Sequence, residues 1–287
     1  MANEISGTTT LYCLLGWPAR HSISPLMHNT AFAALSLDCR YLAFEVTPDQ
    51  LSAAVQGLRA LGAGGFNLTM PHKNAILPFL DDLSEAAALS GSVNTVVNEN
   101  GKLTGHTTDG IGFVRALKEA GFSVREKKIT LLGGGGAAES VLTQLALEGV
   151  TKISVFKRDN ATFQKTAAFA EKVSSHTGTP IEVCPMEDAA ALRGILHASD
   201  LLINATNVGM SPQEGISLIP ADALFSELFV ADLIYHPMET KLLADAKKAG
   251  CPVMNGLPML LYQGAEAFRI WTGKEMPINP VKQAISQ

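Results

Sequence analysis

The chain is poor in the residues that mark several common protein classes. Its 287 residues include only four cysteines, Cys13, Cys39, Cys184 and Cys251, widely spaced and without a C-x-x-C pair. That spacing argues against a disulfide scaffold and for reduced, mostly buried thiols. No apolar run approaches the ~20 residues a bilayer span requires, so no membrane partner is expected. Positive charge is also short: 22 Lys and Arg stand against 27 Asp and Glu, a net charge of −5. Nucleic-acid binding, which needs a basic surface, is not expected. The first residues, Met1 to Glu4, lack the basic start and apolar run of a signal peptide, and the cytoplasm is the expected compartment. His21, His28, His72 and His106 show no H-E-x-x-H spacing, so no metal is expected. A serine hydrolase has no support either, because G-x-S-x-G is absent.

What is present is an alternation of strand and helix patterns. Apolar strands are predicted at Tyr12–Leu15, Arg40–Val46, Gly65–Thr69 and Val93–Asn98, with helices at Pro25–Leu35, Pro48–Leu61 and Gly110–Ala120. Ser24 is a plausible N-cap, with Pro25 at the first helical position. A second unit starts with the strand Lys128–Leu132 and continues through helices at Ala137–Glu148 and Thr162–Ser174. Its further strands are Lys152–Phe156, Ile181–Val183, Leu201–Asn204 and Phe229–Asp232. This is an α/β pattern that implies parallel sheet covered on both faces. Helices are also predicted at Met238–Ala249 and Leu257–Trp271; the last carries Leu257, Leu261, Phe268 and Trp271 on one stripe. The domain boundary is expected near residue 112.

The strand at Lys128–Leu132 runs into Gly133-Gly134-Gly135-Gly136-Ala137, followed by a helix. Glycines let a backbone approach a pyrophosphate, and the helix N-terminus offers it free N–H groups. The third fingerprint position is not a clean glycine. The next strand ends at Lys157-Arg158-Asp159. Asp159 suits the ribose 2′-OH of NAD, whereas Lys157 and Arg158 suit the 2′-phosphate of NADP. Both chemistries are present, with a slight lean to NAD.

Three polar segments occupy the first half. Ser22 and Ser24 flank one residue just before a helix, where their hydroxyls can bind a carboxylate or simply cap the helix. Asn67-Leu68-Thr69-Met70-Pro71-His72-Lys73 closes a strand at a proline turn, placing Lys73 where α/β sheets hold ligands. Lys73 is a candidate proton-transfer group. Asn94 begins a strand, and Asp109, within Thr107-Thr108-Asp109-Gly110, begins a helix. Asp109 is either a helix cap or the partner that holds Lys73 and helps set its proton affinity.

Taken in order, these motifs resemble the shikimate dehydrogenase family over nearly the whole chain, most closely its quinate/shikimate dehydrogenase branch. Further markers are Asn204-Ala205-Thr206-Asn207-Val208-Gly209-Met210, Asp232-Leu233-Ile234-Tyr235 and Gly256 through Gln263-Gly264. The resemblance implies an N-terminal α/β substrate-binding domain, residues 1–112 completed by about 256–287, and a Rossmann-like doubly wound NAD(P)-binding domain, residues 113–255. It implies that Ser22, Ser24 and Tyr235 meet the substrate carboxylate. Thr69, Lys73, Asn94, Asp109 and Gln263 then hold the ring hydroxyls, with Lys73 as acid/base and Asp109 as its partner. Gly134, Gly135, Gly136 and Ala137 are assigned to the pyrophosphate, and Asn207, Leu233 and Gly256 to the nicotinamide side. Two departures stand out: Thr107 replaces the family's usual Asn before Thr-Asp-Gly, and Lys157-Arg158-Asp159 replaces the Asn-Arg-Thr of NADP-binding members.

The expected activity is therefore NAD(P)-dependent hydride transfer between shikimate and 3-dehydroshikimate, and between quinate and 3-dehydroquinate, by a monomer or homodimer. The alternatives are a dehydrogenase of the same fold for another small hydroxy acid, such as an aminoshikimate, and a non-catalytic NAD(P)-binding regulator. Retention of both Lys73 and Asp109 argues against the regulator.

Overall fold

The computed structural model describes residues 5–285. The chain forms two compact units, Met1–Thr108 with Leu261–Gln287, and Asp109–Leu260. Divisions are expected after residues 112 and about 255; the two units divide after residues 108 and 260.

The first unit runs β1 (Thr10–Gly16), α1 (Ser24–Ala34), β2 (Cys39–Glu45), α2 (Leu51–Ala60), β3 (Gly65–Leu68), the single-turn α3 (His72–Ala75), β4 (Asp82–Leu83), α4 (Glu85–Ser90), β5 (Thr95–Glu99) and β6 (Lys102–His106). The strands pair in the order β2-β1-β3-β5-β6-β4. β1 is parallel to β2 and β3, but β5 is antiparallel to both β3 and β6. The sheet is thus mixed rather than purely parallel. Asn100 and Gly101, with φ values of 54° and 89°, make the two-residue turn that joins β5 to its antiparallel neighbour β6. Positive φ at both turn residues matches the right-handed twist of the flanking strands.

Helix α1 starts one residue earlier than predicted. Ser24 lies inside its first turn, Ile23 occupies the cap and no side-chain cap bond forms. The Ser22 hydroxyl instead accepts the Ser24 N–H at 3.2 Å, meeting the need that a cap would otherwise meet. The expected helix at Pro48 opens as a 3₁₀ turn before α2.

The second unit runs α5 (Asp109–Glu119), β7 (Lys128–Leu132), α6 (Gly136–Leu147), β8 (Lys152–Lys157), α7 (Phe163–Thr177), β9 (Ile181–Pro185), α8 (Ala189–His197), β10 (Leu201–Asn204), β11 (Phe229–Asp232), α9 (Lys241–Lys248) and β12 (Val253–Met254). All its strand pairs are parallel, in the order β12-β11-β10-β7-β8-β9. This is the doubly wound order, with the switch point between β7 and β10. Helix α9 starts at Lys241, not Met238, because the Thr240 side chain caps it by accepting the Leu243 N–H.

Two helices close the chain: α10 (Leu257–Thr272), counted with the first unit from Leu261 onward, and α11 (Ile278–Ile285), which packs on α1. In the first unit, Leu15, Phe66, Ile76, Val96 and Leu103 belong to one buried cluster. Each such side chain contributes roughly 1.5–3 kcal/mol relative to exposure. A second, aromatic cluster gathers Tyr12, His28, Phe32, Tyr41, Phe268 and Trp271. The Trp271 indole N–H donates to the Val96 carbonyl at 2.9 Å, anchoring the end of α10 to β5.

His28 in this cluster is 1% exposed, and its Nδ1 has no hydrogen-bond partner. Burial pushes its pKa down from 6.5 to about 3. The folded state holds it neutral while the unfolded chain protonates below pH 6.5, so this contribution is present above that pH and is lost as pH falls toward 3. The slope is about 1.4 kcal/mol per pH unit. Unfolding free energies at pH 7.5 and pH 5 should therefore differ by about 2 kcal/mol more in the native protein than in His28→Phe. Identical pH dependence in the two proteins would refute this assignment.

Candidate functional site

In the first unit, one end of the sheet is laced together by main-chain bonds. The Thr69 N–H donates to the Leu15 carbonyl at 3.0 Å and the Trp17 N–H to the Met70 carbonyl at 3.0 Å. The Val93 N–H donates to the Lys73 carbonyl at 2.8 Å and the Asn94 N–H to the His106 carbonyl at 3.0 Å. Pro71 cannot extend β3, so the chain turns and α3 begins at His72. The buried His72 ring sits with Nε2 2.7 Å from the Val46 carbonyl and holds this turn down. The backbone thereby carries Thr69, Lys73 and Asn94 to one edge, with Lys73 half-buried.

The Asn94 side chain is the centre of this edge. Its Nδ2 donates to the Thr108 hydroxyl at 3.0 Å and to Gln263 Oε1 at 3.5 Å. Its Oδ1 accepts the Thr108 N–H at 2.8 Å. Residues distant in sequence, Asn94 and Gln263, therefore meet within one unit. Ser22 and Ser24 are partly buried at the start of α1. Thr107 is buried, and Asp109, 8% exposed, opens α5.

In the second unit, the glycine turn lies at the switch point. Gly133 has φ +108°, and a Cβ there would stand 2.9 Å from the Ala205 carbonyl oxygen, so the ends of β7 and β10 approach closely. At Gly135 and Gly136 a Cβ would meet nothing within 4 Å. Gly135 caps α6 without a side-chain bond. With Ala137 these residues form an open cradle of helix N-terminal amides, and Gly134, closely covered by Thr166, leads the chain into it. That geometry fits a dinucleotide pyrophosphate.

The Lys157 stem lies over the turn, its Cδ 3.0 Å from where a Gly134 Cβ would be. Burial pushes the Glu139 carboxyl up, while Lys165 and Lys157 pull it back down. Arg158 and Asp159 are exposed, and the Asp159 N–H donates to Glu187 Oε2 at 3.3 Å. Asn207 is exposed in the loop after β10, and Tyr235, 47% exposed, follows β11. Gly256 packs against Leu233 and donates its N–H to the Ile234 carbonyl at 2.9 Å.

Sequence reasoning gave no role to the pair that shapes these loops. Asn204 and Asp232 end adjacent strands in register. The buried Asp232 carboxylate accepts from Asn204 Nδ2 at 3.0 Å, the Ile234 N–H at 3.0 Å and the Thr240 hydroxyl at 2.7 Å. Burial pushes its pKa up and these bonds pull it down. A signal was available: each is a polar residue that closes an otherwise apolar buried strand. Tyr41, Asn67, Thr95 and Thr108 likewise received no role, although the last three lie within or beside the quoted motifs. Among the described residues, no helix is long and apolar enough to cross a membrane, and no three His, Cys, Asp or Glu side chains are grouped to hold a metal ion.

Known proteins match this arrangement along its length. The shikimate dehydrogenase substrate binding domain matches residues 14–96, the shikimate / quinate 5-dehydrogenase family residues 115–212, and the shikimate 5′-dehydrogenase C-terminal domain residues 256–285. The shikimate dehydrogenase (NADP(+)) of Listeria innocua is 48% identical over 99% of this chain and 98% of its own. The crystal structure of shikimate 5-dehydrogenase from Listeria monocytogenes, in complex with shikimate and NAD, superposes with TM-score 0.97 at 48% identity, covering 99% of both chains. Quinate dehydrogenase from Corynebacterium glutamicum, in complex with NAD, gives TM-score 0.88 at 29% identity, covering 97% of this chain and 99% of that one. With its family matches in this order and near full-length identity of this level, the chain belongs to the shikimate dehydrogenase family, in its quinate/shikimate dehydrogenase branch.

Proposed function

We propose that this protein is an NAD(P)-dependent dehydrogenase that interconverts shikimate with 3-dehydroshikimate and quinate with 3-dehydroquinate, with NAD preferred over NADP. The observation that carries this reading is the polar edge of the first unit, where Thr69, Lys73, Asn94 and Gln263 converge. A bound nicotinamide supplies the hydride acceptor on oxidation and the donor on reduction. Ser22 and Ser24 hold the carboxylate, joined by Tyr235. Thr69, Asn94 and Gln263 orient the ring hydroxyls. Lys73 takes the proton of the reacting hydroxyl on oxidation and returns it on reduction, with Asp109 as its partner. Most of the acceleration then comes from positioning and from stabilising the developing alkoxide.

Cofactor recognition is assigned to Gly134, Gly135, Gly136 and Ala137 at the pyrophosphate, and to Asn207, Leu233 and Gly256 beside the nicotinamide. The preference for NAD is supported by Asp159, an exposed carboxylate at the end of β8, with the Glu187 carboxylate beside its N–H. Negative charge there favours a ribose diol over a 2′-phosphate. Lys157 lies over the glycine turn, its Cδ 3.0 Å from where a Gly134 Cβ would be.

Shikimate and quinate, each paired with NAD⁺ and with NADP⁺, test this reading through the absorbance of the reduced nicotinamide. Turnover is expected with shikimate, faster with NAD⁺. Replacing Asp159→Ser should lower the ratio of kcat/KM for NAD⁺ to that for NADP⁺ by roughly tenfold. Folded protein that turns over none of the four pairs would exclude the proposed activity, and an unchanged ratio would exclude Asp159 as the selector.

A further inference from the structure

We propose that Asn67, aimed by the Tyr41 hydroxyl, is a positioning residue that sets the direction in which Asn94 presents its side-chain amide to the substrate. This rests on the reading of Asn94 as a substrate-binding residue.

The polarity of the network follows from groups that can act in only one way. The Asn94 carbonyl oxygen can only accept, and an amide terminus of Asn67 lies 2.9 Å from it. That terminus is therefore Nδ2, and Asn67 Oδ1 faces the Tyr41 hydroxyl, which donates to it at 2.7 Å. Asn67 Nδ2 also donates to the Thr95 hydroxyl oxygen at 2.9 Å. The Thr95 hydroxyl in turn donates to Asn94 Oδ1 at 3.1 Å. The Thr108 main-chain N–H, which can only donate, reaches the same Oδ1 at 2.8 Å. The Thr108 hydroxyl stands 3.2 Å from Oδ1 and 3.0 Å from Nδ2, so it is the obligate Thr108 N–H, with Thr95 beside it, that pins the oxygen and turns Asn94 Nδ2 toward Gln263 Oε1 at 3.5 Å.

Tyr41, Asn67, Asn94, Thr95 and Thr108 are all buried, where a fully satisfied network is stiff and a broken one is costly. The phenol of Tyr41 is itself fixed by stacking on His28, with ring centroids 4.4 Å apart and an interplanar angle of 15°. The chemical consequence is a specificity rule. The Nδ2 hydrogen that faces Gln263 Oε1 across 3.5 Å is the one a substrate takes over, so the substrate atom Asn94 meets is an acceptor, a hydroxyl or carbonyl oxygen. Tyr41 and Asn67 exert this effect without touching the substrate.

Steady-state kinetics with shikimate at saturating cofactor test the proposal. The variants are Tyr41→Phe, Thr95→Val, Asn94→Ala and the double variant of Tyr41 and Asn94. Each of the first two removes one hydroxyl and keeps its shape. Each should raise the KM for shikimate roughly fivefold, the effect of one hydrogen bond, with kcat changed much less. NADH affinity, read by fluorescence, should not change. In the Asn94→Ala background, Tyr41→Phe should raise the KM much less than in the native protein, because the route through Asn94 is cut and only the Tyr41 contact with Ser24 is left. An equal KM rise in both backgrounds would show a general structural effect and overturn the proposal. Unchanged KM in both Tyr41→Phe and Thr95→Val, alongside a raised KM in Asn94→Ala, would overturn it while leaving the substrate site standing. Unchanged KM in Asn94→Ala would remove the substrate-site reading itself, and the positioning role with it.

Discussion

Replacing Lys73→Ala should lower kcat for shikimate oxidation by about a thousandfold, within the range typical for loss of a positioned acid/base. The KM for shikimate should move much less, and cofactor affinity should not move. The fold around the lysine predicts this separation. Lys73 is tied into the first unit through its main chain, whose carbonyl accepts the Val93 N–H at 2.8 Å. An alanine keeps that bond, and the neighbouring His72 ring keeps its contact with the Val46 carbonyl. What the variant loses is the side chain of half-buried Lys73 with its ammonium. Parallel measurement of kcat, KM and the melting temperature separates lost chemistry from lost structure. A kcat within tenfold of the native value would mean that another group moves the proton.

The largest effect on stability is expected at Gly256→Ala. A Cβ at this position would stand 2.0 Å from the Leu233 carbonyl oxygen and 2.5 Å from its carbon. No side chain can yield there, since the clash is with backbone at the end of β11. The Gly256 N–H is also committed to the Ile234 carbonyl at 2.9 Å, so the two segments cannot part without losing that bond. The cost should be roughly 3 kcal/mol or more, at the upper end for overpacking. Denaturant unfolding of the whole chain reads it directly. The same substitution should weaken NADH binding, because Leu233 and Gly256 are both assigned to the nicotinamide side. Native stability in the variant would show that this approach of the two segments is looser than the structure indicates.

Much of the second unit was legible from residues alone. The strands Lys128–Leu132, Leu201–Asn204 and Phe229–Asp232 were predicted with the bounds they have in the structure. Each is a short apolar run closed by glycine or a polar residue, so local pattern and burial agree. The first unit was harder. The returning strand β6 went unread because Gly105 interrupts its pattern, even though the Asn100-Gly101 turn announces a hairpin. Short elements such as α3, β4 and β12 carry too few residues to show a period, and α4, α8 and α11 were also missed. Ser24 does not cap the helix because the helix begins at Ser24 itself, with Ile23 at the cap, and its own N–H is taken by the Ser22 hydroxyl.

The sequence by itself determined the chemistry available: a glycine turn between strand and helix, a lysine after a proline turn, and an absence of metal-ligand spacing. These depend on residue type and short spacing, which a linear chain records. Only the tertiary structure decided which groups act together. Asn94 meets Gln263, 169 positions away, because the residues of α10 from Leu261 onward fold back into the first unit. The polarity of the Tyr41–Asn67–Asn94 network arises the same way. An amide can point either way along a chain, and it takes a direction only when buried donors and acceptors from separate strands close around it.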